Sequence, residues 1–302
     1  MKFANSNLLY YMAIGDAYGV GGECISEKHQ NIAKLLGFKK YLSHPTHHSV
    51  PGKYSDDTQQ SIANAETLIT GKPYNELAWA NSWVNVFKRD PRNGYSRNFQ
   101  RFLETTNSGI EFLKNIYPIS NKNGAAMRSL VLGVLKPPKD VLKFAKIQAA
   151  ITHNTSGGIF GAQAVALMSH YALWSQSQMS RANLGEYIIR YLGHDLASHN
   201  IFKDVIVTPW NGRVSRDEMG IKTAWAVFEL LVSSNSLLDI LYKVIKFGGD
   251  IDSVGAIALG IGSARLKDDL PLFLHSDLEP NSKYGKVFLK NLGSKLISKF
   301  NK

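Results

Sequence analysis

Apolar residues in this chain recur at spacings of three and four rather than two, and that periodicity restricts what it can fold into. Leu8, Leu9 and Met12 share a face, as do Ala65, Leu68 and Ile69, and then Trp79, Trp83 and Phe87. The pattern continues through Val141, Phe144, Ile147 and Ala150, through Ile159, Ala162, Val165 and Ala166, and through Ala224, Val227, Phe228 and Leu231. A last clear segment carries Leu237, Ile240, Leu241 and Ile245. Side chains three and four apart fall on one face of an α-helix, so each set predicts an amphipathic or buried helix. Alternating β-branched runs are scarce, and residues 204–208 are the best short exception. The segments are separated by Pro45 to Gly52, Asp90 to Gly94, Ser120 to Gly124, Pro137-Pro138 and Pro209 to Gly212, which read as turns. None is long enough to link domains. The expectation is one compact all-α domain over residues 1–302, with functional loops between its helices.

With 302 residues, 44% apolar and 20% charged, the chain is large enough to bury its own core and too apolar to be disordered. A single cysteine, Cys24, excludes an internal disulfide and a cysteine zinc site, and it reads as a packed thiol. No apolar run reaches the roughly 18 residues that a membrane-spanning helix needs. The start, with Lys2 as its only early basic residue and an apolar stretch that ends at Gly15-Asp16, does not read as a signal peptide. The expected place is therefore the cytoplasm, with export into another cell by a non-classical route left open. The net charge of +11 is spread along the chain without a basic block, so it suits attraction of a phosphate-bearing ligand rather than nucleic-acid binding. Phe288, Leu289, Leu292 and Leu296 form a stripe among lysines near the C-terminus. They predict a terminal helix docked on its own domain.

Two acidic stretches carry the chemistry. Tyr54-Ser55-Asp56-Asp57-Thr58-Gln59 opens one helix, and Gly249-Asp250-Ile251-Asp252-Ser253-Val254 opens another. Asp and Ser at a helix start are ordinary caps, favoured by the helix dipole. Capping needs one side chain per helix, however, not two adjacent acids on one and an i, i+2 pair on the other. Four carboxylates that meet in a cleft repel one another. Hard divalent cations relieve that repulsion, and all-oxygen donors select Mg²⁺, Mn²⁺ or Ca²⁺ over zinc or copper. The segment from Asp250 to Val254 also fits the DxDx(T/V) pattern of haloacid-dehalogenase-type phosphatases. It lies late in the chain and enters a helix, whereas that motif belongs at the end of an early buried strand.

With those stretches placed, the chain resembles the ADP-ribosylglycohydrolase family, the group that includes dinitrogenase reductase-activating glycohydrolase. Gly15-Asp16-Ala17-Tyr18-Gly19 followed by Glu23 is similar to the family's opening GDAxG…E. His44-Pro45 and Pro51 to Gln59 resemble its first metal motif and approach. Arg92 to Ser96, the NGxxMR segment Asn123 to Arg128, the Thr152-His153 pair and Gly249 to Ser253 follow in the family's order. Ser55 and Ser253 stand where the family usually has threonine. Serine keeps the hydroxyl oxygen with less χ1 restriction.

The resemblance implies an all-α fold with a central acidic cleft. It also implies hydrolysis of an ADP-ribosyl bond, most often the N-glycosidic link to arginine, so the expected partner is a mono-ADP-ribosylated protein and the expected product ADP-ribose. Two divalent cations, Mg²⁺ or Mn²⁺, are implied, with Ser55, Asp56, Asp57, Asp250, Asp252 and Ser253 as ligands. Glu23 and Asp57 are the catalytic candidates, and Asp16 is a supporting group. Gly94, Tyr95, Ser96, Asn123, Gly124, Met127 and His153 are the candidates for substrate contact. A monomer is expected. A family member that binds ADP-ribose without cleaving it is the alternative reading.

Overall fold

The computed structural model describes residues 7–71, 73–192, 210, 212–214 and 218–301. Helices α1 (Leu8–Gly19), α2 (Gln30–Leu36), α3 (Asp56–Thr70), α4 (Glu76–Arg89), α5 (Arg97–Thr105), α6 (Gly109–Asn115) and α7 (Gly124–Met127) come first. They are followed by α8 (Pro138–Ala150), α9 (Ser156–Trp174), α10 (Arg181–Leu192), α11 (Met219–Ser233), α12 (Leu237–Phe247), α13 (Ile251–Gly262), α14 (Leu272–Ser276) and α15 (Lys286–Phe300). Among the described residues there is no strand, only isolated bridges such as Ile119 with His153. The all-α expectation holds. The candidate strand at 204–208 lies outside the described residues.

The centre of the fold is the pair α1 and α13, both buried along their whole length. Glycine sets how closely they cross. A methyl built on Gly15 would lie 2.3 Å from the Gly255 carbonyl oxygen, and one on Gly19 would lie 2.4 Å from the Asp252 Cα. Farther along, a methyl on Gly260 would meet the Leu8 carbonyl oxygen at 3.2 Å. These pairings run in opposite order along the two helices, so α1 and α13 are antiparallel. The end of α1 therefore lies against the start of α13, which places Asp16 beside the second acidic stretch. Any side chain at Gly15 must push the backbones apart, and overpacking of this kind costs about 1–3 kcal/mol. Gly15→Ala is expected to lower the denaturant midpoint accordingly; an unchanged midpoint would contradict the close crossing.

The other helices form a shell around this pair. In α9, Thr155 caps the start by accepting from the Gly158 amide at 3.1 Å, and nearly every later side chain is buried. Trp79, Trp83 and Phe87 of α4 are buried together, as their spacing predicts. Helix α15 packs Leu289, Leu292 and Leu296 inward against α1 and α3, so the terminal stripe is docked on its own domain. Among the described residues no helix is long and apolar enough to cross a membrane.

Candidate active site

Asp16 organises the first acidic stretch from another helix. Its carboxylate accepts from the Ser55 amide at 2.9 and 3.0 Å, the Ser55 hydroxyl at 2.7 Å, the Thr58 amide at 3.0 Å and the Thr58 hydroxyl at 2.6 Å. The start of α3 is thus capped by a residue of α1. Ser55 makes no side-chain cap bond, and neither does Asp250 at the start of α13. The acids beside them are not local caps, so the ordinary explanation for acidic residues at these positions does not apply.

Those acids are buried together. Asp57, Asp250 and Asp252 are almost inaccessible, and Asp56 is half-buried. One oxygen of Asp57 and one of Asp252, both Oδ1, are buried without any hydrogen-bond partner. Burial pushes the Asp57 carboxyl well above the usual range, and Asp56, Asp16 and Asp250 push it further, opposed in part by Ser253. Burial does the same to Asp252, reinforced by Glu23, Asp250, Asp57 and Asp16. Asp56 is raised by burial and by Asp16, Glu23 and Asp250. Asp250 is raised by burial, against hydrogen bonds from Asp252, Asn123 and Ser253. The two stretches, remote in sequence, therefore share one electrostatic site. An unpartnered buried carboxylate oxygen is costly, and a divalent cation is the usual partner for a group of them. The donors are oxygens throughout, which suits a hard cation. The implied metal thus fits the residues present.

Glu23 reaches the same site from the turn that follows α1. A ligand atom of Glu23, one of Cys24 and one of Asp250 lie within 4.8 Å of one another. Two contacts hold this turn in place. The Cys24 amide donates to the Gly249 carbonyl at 2.7 Å, and His44 Nε2 lies 2.8 Å from the Glu23 carbonyl oxygen. His44 Nδ1 accepts from the Thr46 and His47 amides, so Nε2 carries the hydrogen and donates to Glu23. Cys24 is exposed, with a positive φ of 51°, which corrects the expectation of a packed thiol. Its amide is held at Gly249, and its thiol stands exposed at the edge of the acidic cluster.

Gly94 closes over Asp56. With φ at +117°, its position would bring a methyl within 2.0 Å of Asp56 Oδ1, so only glycine allows the loop to lie there. Tyr95 anchors that loop by donating to Gln59 Oε1 at 2.7 Å and accepting from Gln60 Nε2 at 3.2 Å. Ser96 is exposed just before α5. A buried clamp supports the loop from behind. Arg92 pairs with Glu279 at 2.5 Å and with Asp90 at 2.7 Å, and its guanidinium stacks 3.9 Å over the Tyr54 ring. Glu279 also accepts from the Tyr54 amide at 3.0 Å. Nothing local in the sequence marks Glu279, because its partners come from distant segments.

Asn123, Gly124, Met127 and His153 adjoin the second acidic stretch through the Asn123 amide and the packing of Gly124 on His153. Asn123 donates from Nδ2 to Asp250 Oδ2 and to the Thr223 hydroxyl at 3.2 Å, so its amide orients an acid. Helix α7 is one short turn, and buried Met127 offers its carbonyl to the Ser61 hydroxyl at 3.1 Å. Gly124 faces the His153 ring, where a methyl would approach Cε1 to 2.9 Å. His153 is buried, and burial together with Arg128 and Lys122 takes its pKa down to about 3, so it is neutral.

The fold and site define an all-α protein whose acidic centre is assembled from the starts of two helices and closed by loops. A family model described as ADP-ribosylglycohydrolase matches residues 8–300, and the chain belongs to that family. An ADP-ribosylhydrolase ARH3 from Xenopus tropicalis is 29% identical over 166 residues, covering 50% of this chain and 47% of that protein. An ADP-ribosylarginine hydrolase Tri1 from Pseudomonas putida (strain GB-1) is 22% identical over 171 residues, covering 54% of this chain and 44% of that protein. These matches span about half the length of either relative. A solved structure titled ADP-ribosylglycohydrolase-related protein complex shares the fold with a TM-score of 0.72 at 20% identity, covering 98% of this chain and 97% of that one.

Proposed function

We propose that this chain is a hydrolase that removes mono-ADP-ribose from a protein side chain, with the N-glycosidic bond to arginine as the preferred substrate. The observation that carries this reading is the pair of partnerless buried oxygens on Asp57 and Asp252, which two different helix starts bring into one acidic site. Ser55, Asp56, Asp57, Asp250, Asp252 and Ser253 would hold two divalent cations, Mg²⁺ or Mn²⁺. When bound, such ions supply charge stabilisation at the ribose and its scissile bond.

The chain's own residues do the rest. Asp16 fixes Ser55 by accepting a hydrogen bond from its hydroxyl, which leaves the oxygen's lone pairs available to a ligand. Asn123 holds Asp250 in orientation. Glycosidic cleavage develops positive charge on the sugar, and a carboxylate must manage the proton of the attacking water or of the leaving group. Glu23 takes that role, because it is half-buried at the edge of the cluster with its backbone fixed by His44. Asp57 assists from beneath. The same acidic cluster suits a departing guanidinium, which supports arginine as acceptor, and the Pseudomonas relative, an ADP-ribosylarginine hydrolase, points the same way.

The assay is release of labelled ADP-ribose from arginine-linked and serine-linked protein substrates, with Mn²⁺ or Mg²⁺ and with chelator. Release from the arginine-linked protein that requires the metal is expected. Full retention of label across both linkages and both metals would overturn the hydrolase reading. Calorimetric binding of ADP-ribose without turnover would instead favour a silent binder.

A further inference from the structure

We propose that Arg128 and Thr152 are positioning residues that hold His153 with its hydrogen on Nε2, so that the ring offers an N–H donor to an oxygen of the ADP-ribosyl group. This rests on the reading above that His153 faces the substrate.

The argument begins with a buried cation. Arg128 is fully buried, and among the described residues no carboxylate pairs with it. Its guanidinium lies 3.9 Å over the Trp83 ring. Its hydrogens go to neutral oxygens: Gln148 Oε1 at 2.5 Å, the Gln148 carbonyl at 3.0 Å, Gln60 Oε1 at 2.9 Å and the Thr152 hydroxyl at 2.7 Å. A guanidinium only donates, so the Thr152 oxygen is an acceptor in that contact. The Thr152 hydroxyl then has one hydrogen of its own to place, and His153 Nδ1 stands 2.6 Å away. If Nδ1 carried a hydrogen, the buried Thr152 hydroxyl would have no acceptor among its described neighbours. With Nδ1 as acceptor, the Thr152 hydroxyl accepts from Arg128 and donates to the ring, so its hydrogen is placed. A neutral imidazole that accepts at Nδ1 carries its hydrogen on Nε2.

The other edge of the ring lies beside Gly124. Cε1 and Nε2 lie over Gly124, where a methyl would meet Nε2 at 3.1 Å. Gly124 adjoins Asn123, whose amide touches Asp250. Gln60, a second partner of Arg128, also donates to the Tyr95 hydroxyl. One buried cation therefore links Tyr95, through Gln60, with His153, through Thr152. A ring in this state cannot act as a base at Nε2, and it selects ligands that present an oxygen acceptor there.

The test is nitrogen-15 NMR of the metal-loaded full-length chain with labelled histidine, the His153 signals being assigned by their loss in His153→Asn. The expected pattern is a protonated Nε2 and an unprotonated Nδ1 through the neutral range. A hydrogen on Nδ1, or an imidazolium at neutral pH, would overturn the proposal. Thr152→Ser keeps the hydroxyl and is expected to keep the tautomer. Thr152→Val removes it and is expected to mix the tautomers and weaken ADP-ribose binding by about tenfold in calorimetry, the usual worth of one hydrogen bond. Equal tautomer and affinity in both variants would also overturn it. Because the tautomer is read without turnover, a wild-type chain that fails to hydrolyse any substrate would remove the proposed function while leaving the relay standing.

Discussion

Asp57→Asn and Asp252→Asn are each expected to lower turnover by about 10²–10³-fold or more, the scale seen when one fixed electrostatic contact at a reacting centre is lost. The same substitutions are expected to raise the stability of the chelated protein. Both effects come from one feature. Each of these carboxylates buries an oxygen without a partner and is itself pushed up by neighbouring acids, Asp57 being one of those that raise Asp252. An amide of the same shape removes the repulsion, so the fold gains while the site loses a cation donor. Calorimetry with Mn²⁺ should show the affinity falling alongside the activity. Wild-type turnover in both variants would remove the acidic centre from the chemistry.

Chelation is expected to reverse the pH dependence of stability. Asp56, Asp57, Asp250 and Asp252 all have folded pKa values above the unfolded carboxylate value, with burial the leading cause. The folded state then binds more protons than the unfolded state, so stability falls as pH rises. The loss begins near the unfolded value of about 3.9 and continues upward through the raised folded values. A bound cation replaces those protons and removes this penalty. At a hundredfold excess over Kd it adds about 2.7 kcal/mol, or roughly 5 °C in Tm for a chain of this size. Melting curves across pH, with Mn²⁺ and with chelator, check this. Parallel curves under the two conditions would mean that no cation binds among these carboxylates.

Much of the fold was legible because its signal is local. The repeats of three and four that begin at Leu8, Trp79, Val141 and Leu237 all fall within observed helices, since burial of one helical face needs only that spacing. The acidic stretches were legible too, because more carboxylates stood at two helix starts than capping requires. Cys24 was misread as packed, because its turn is held by a backbone bond to Gly249, far along the chain. The supporting contacts left even less trace. Glu279 beneath Arg92 is an ordinary residue until distant segments meet it, and His44 and Arg128, though part of the motifs, gave no sign of which residues they would hold.

What the amino-acid order determined alone is therefore the helical class and the two acidic helix starts, since each depends on neighbours a few residues away. The tertiary structure decided which carboxylate caps and which is left without a partner. Asp16 and Asp57 are the same residue type, but packing of α1 against the start of α3 gives Asp16 the amides and hydroxyls of Ser55 and Thr58. One oxygen of Asp57 has no partner at all. That difference arises from solvent exclusion and donor geometry across remote segments, quantities that spacing along a chain does not encode.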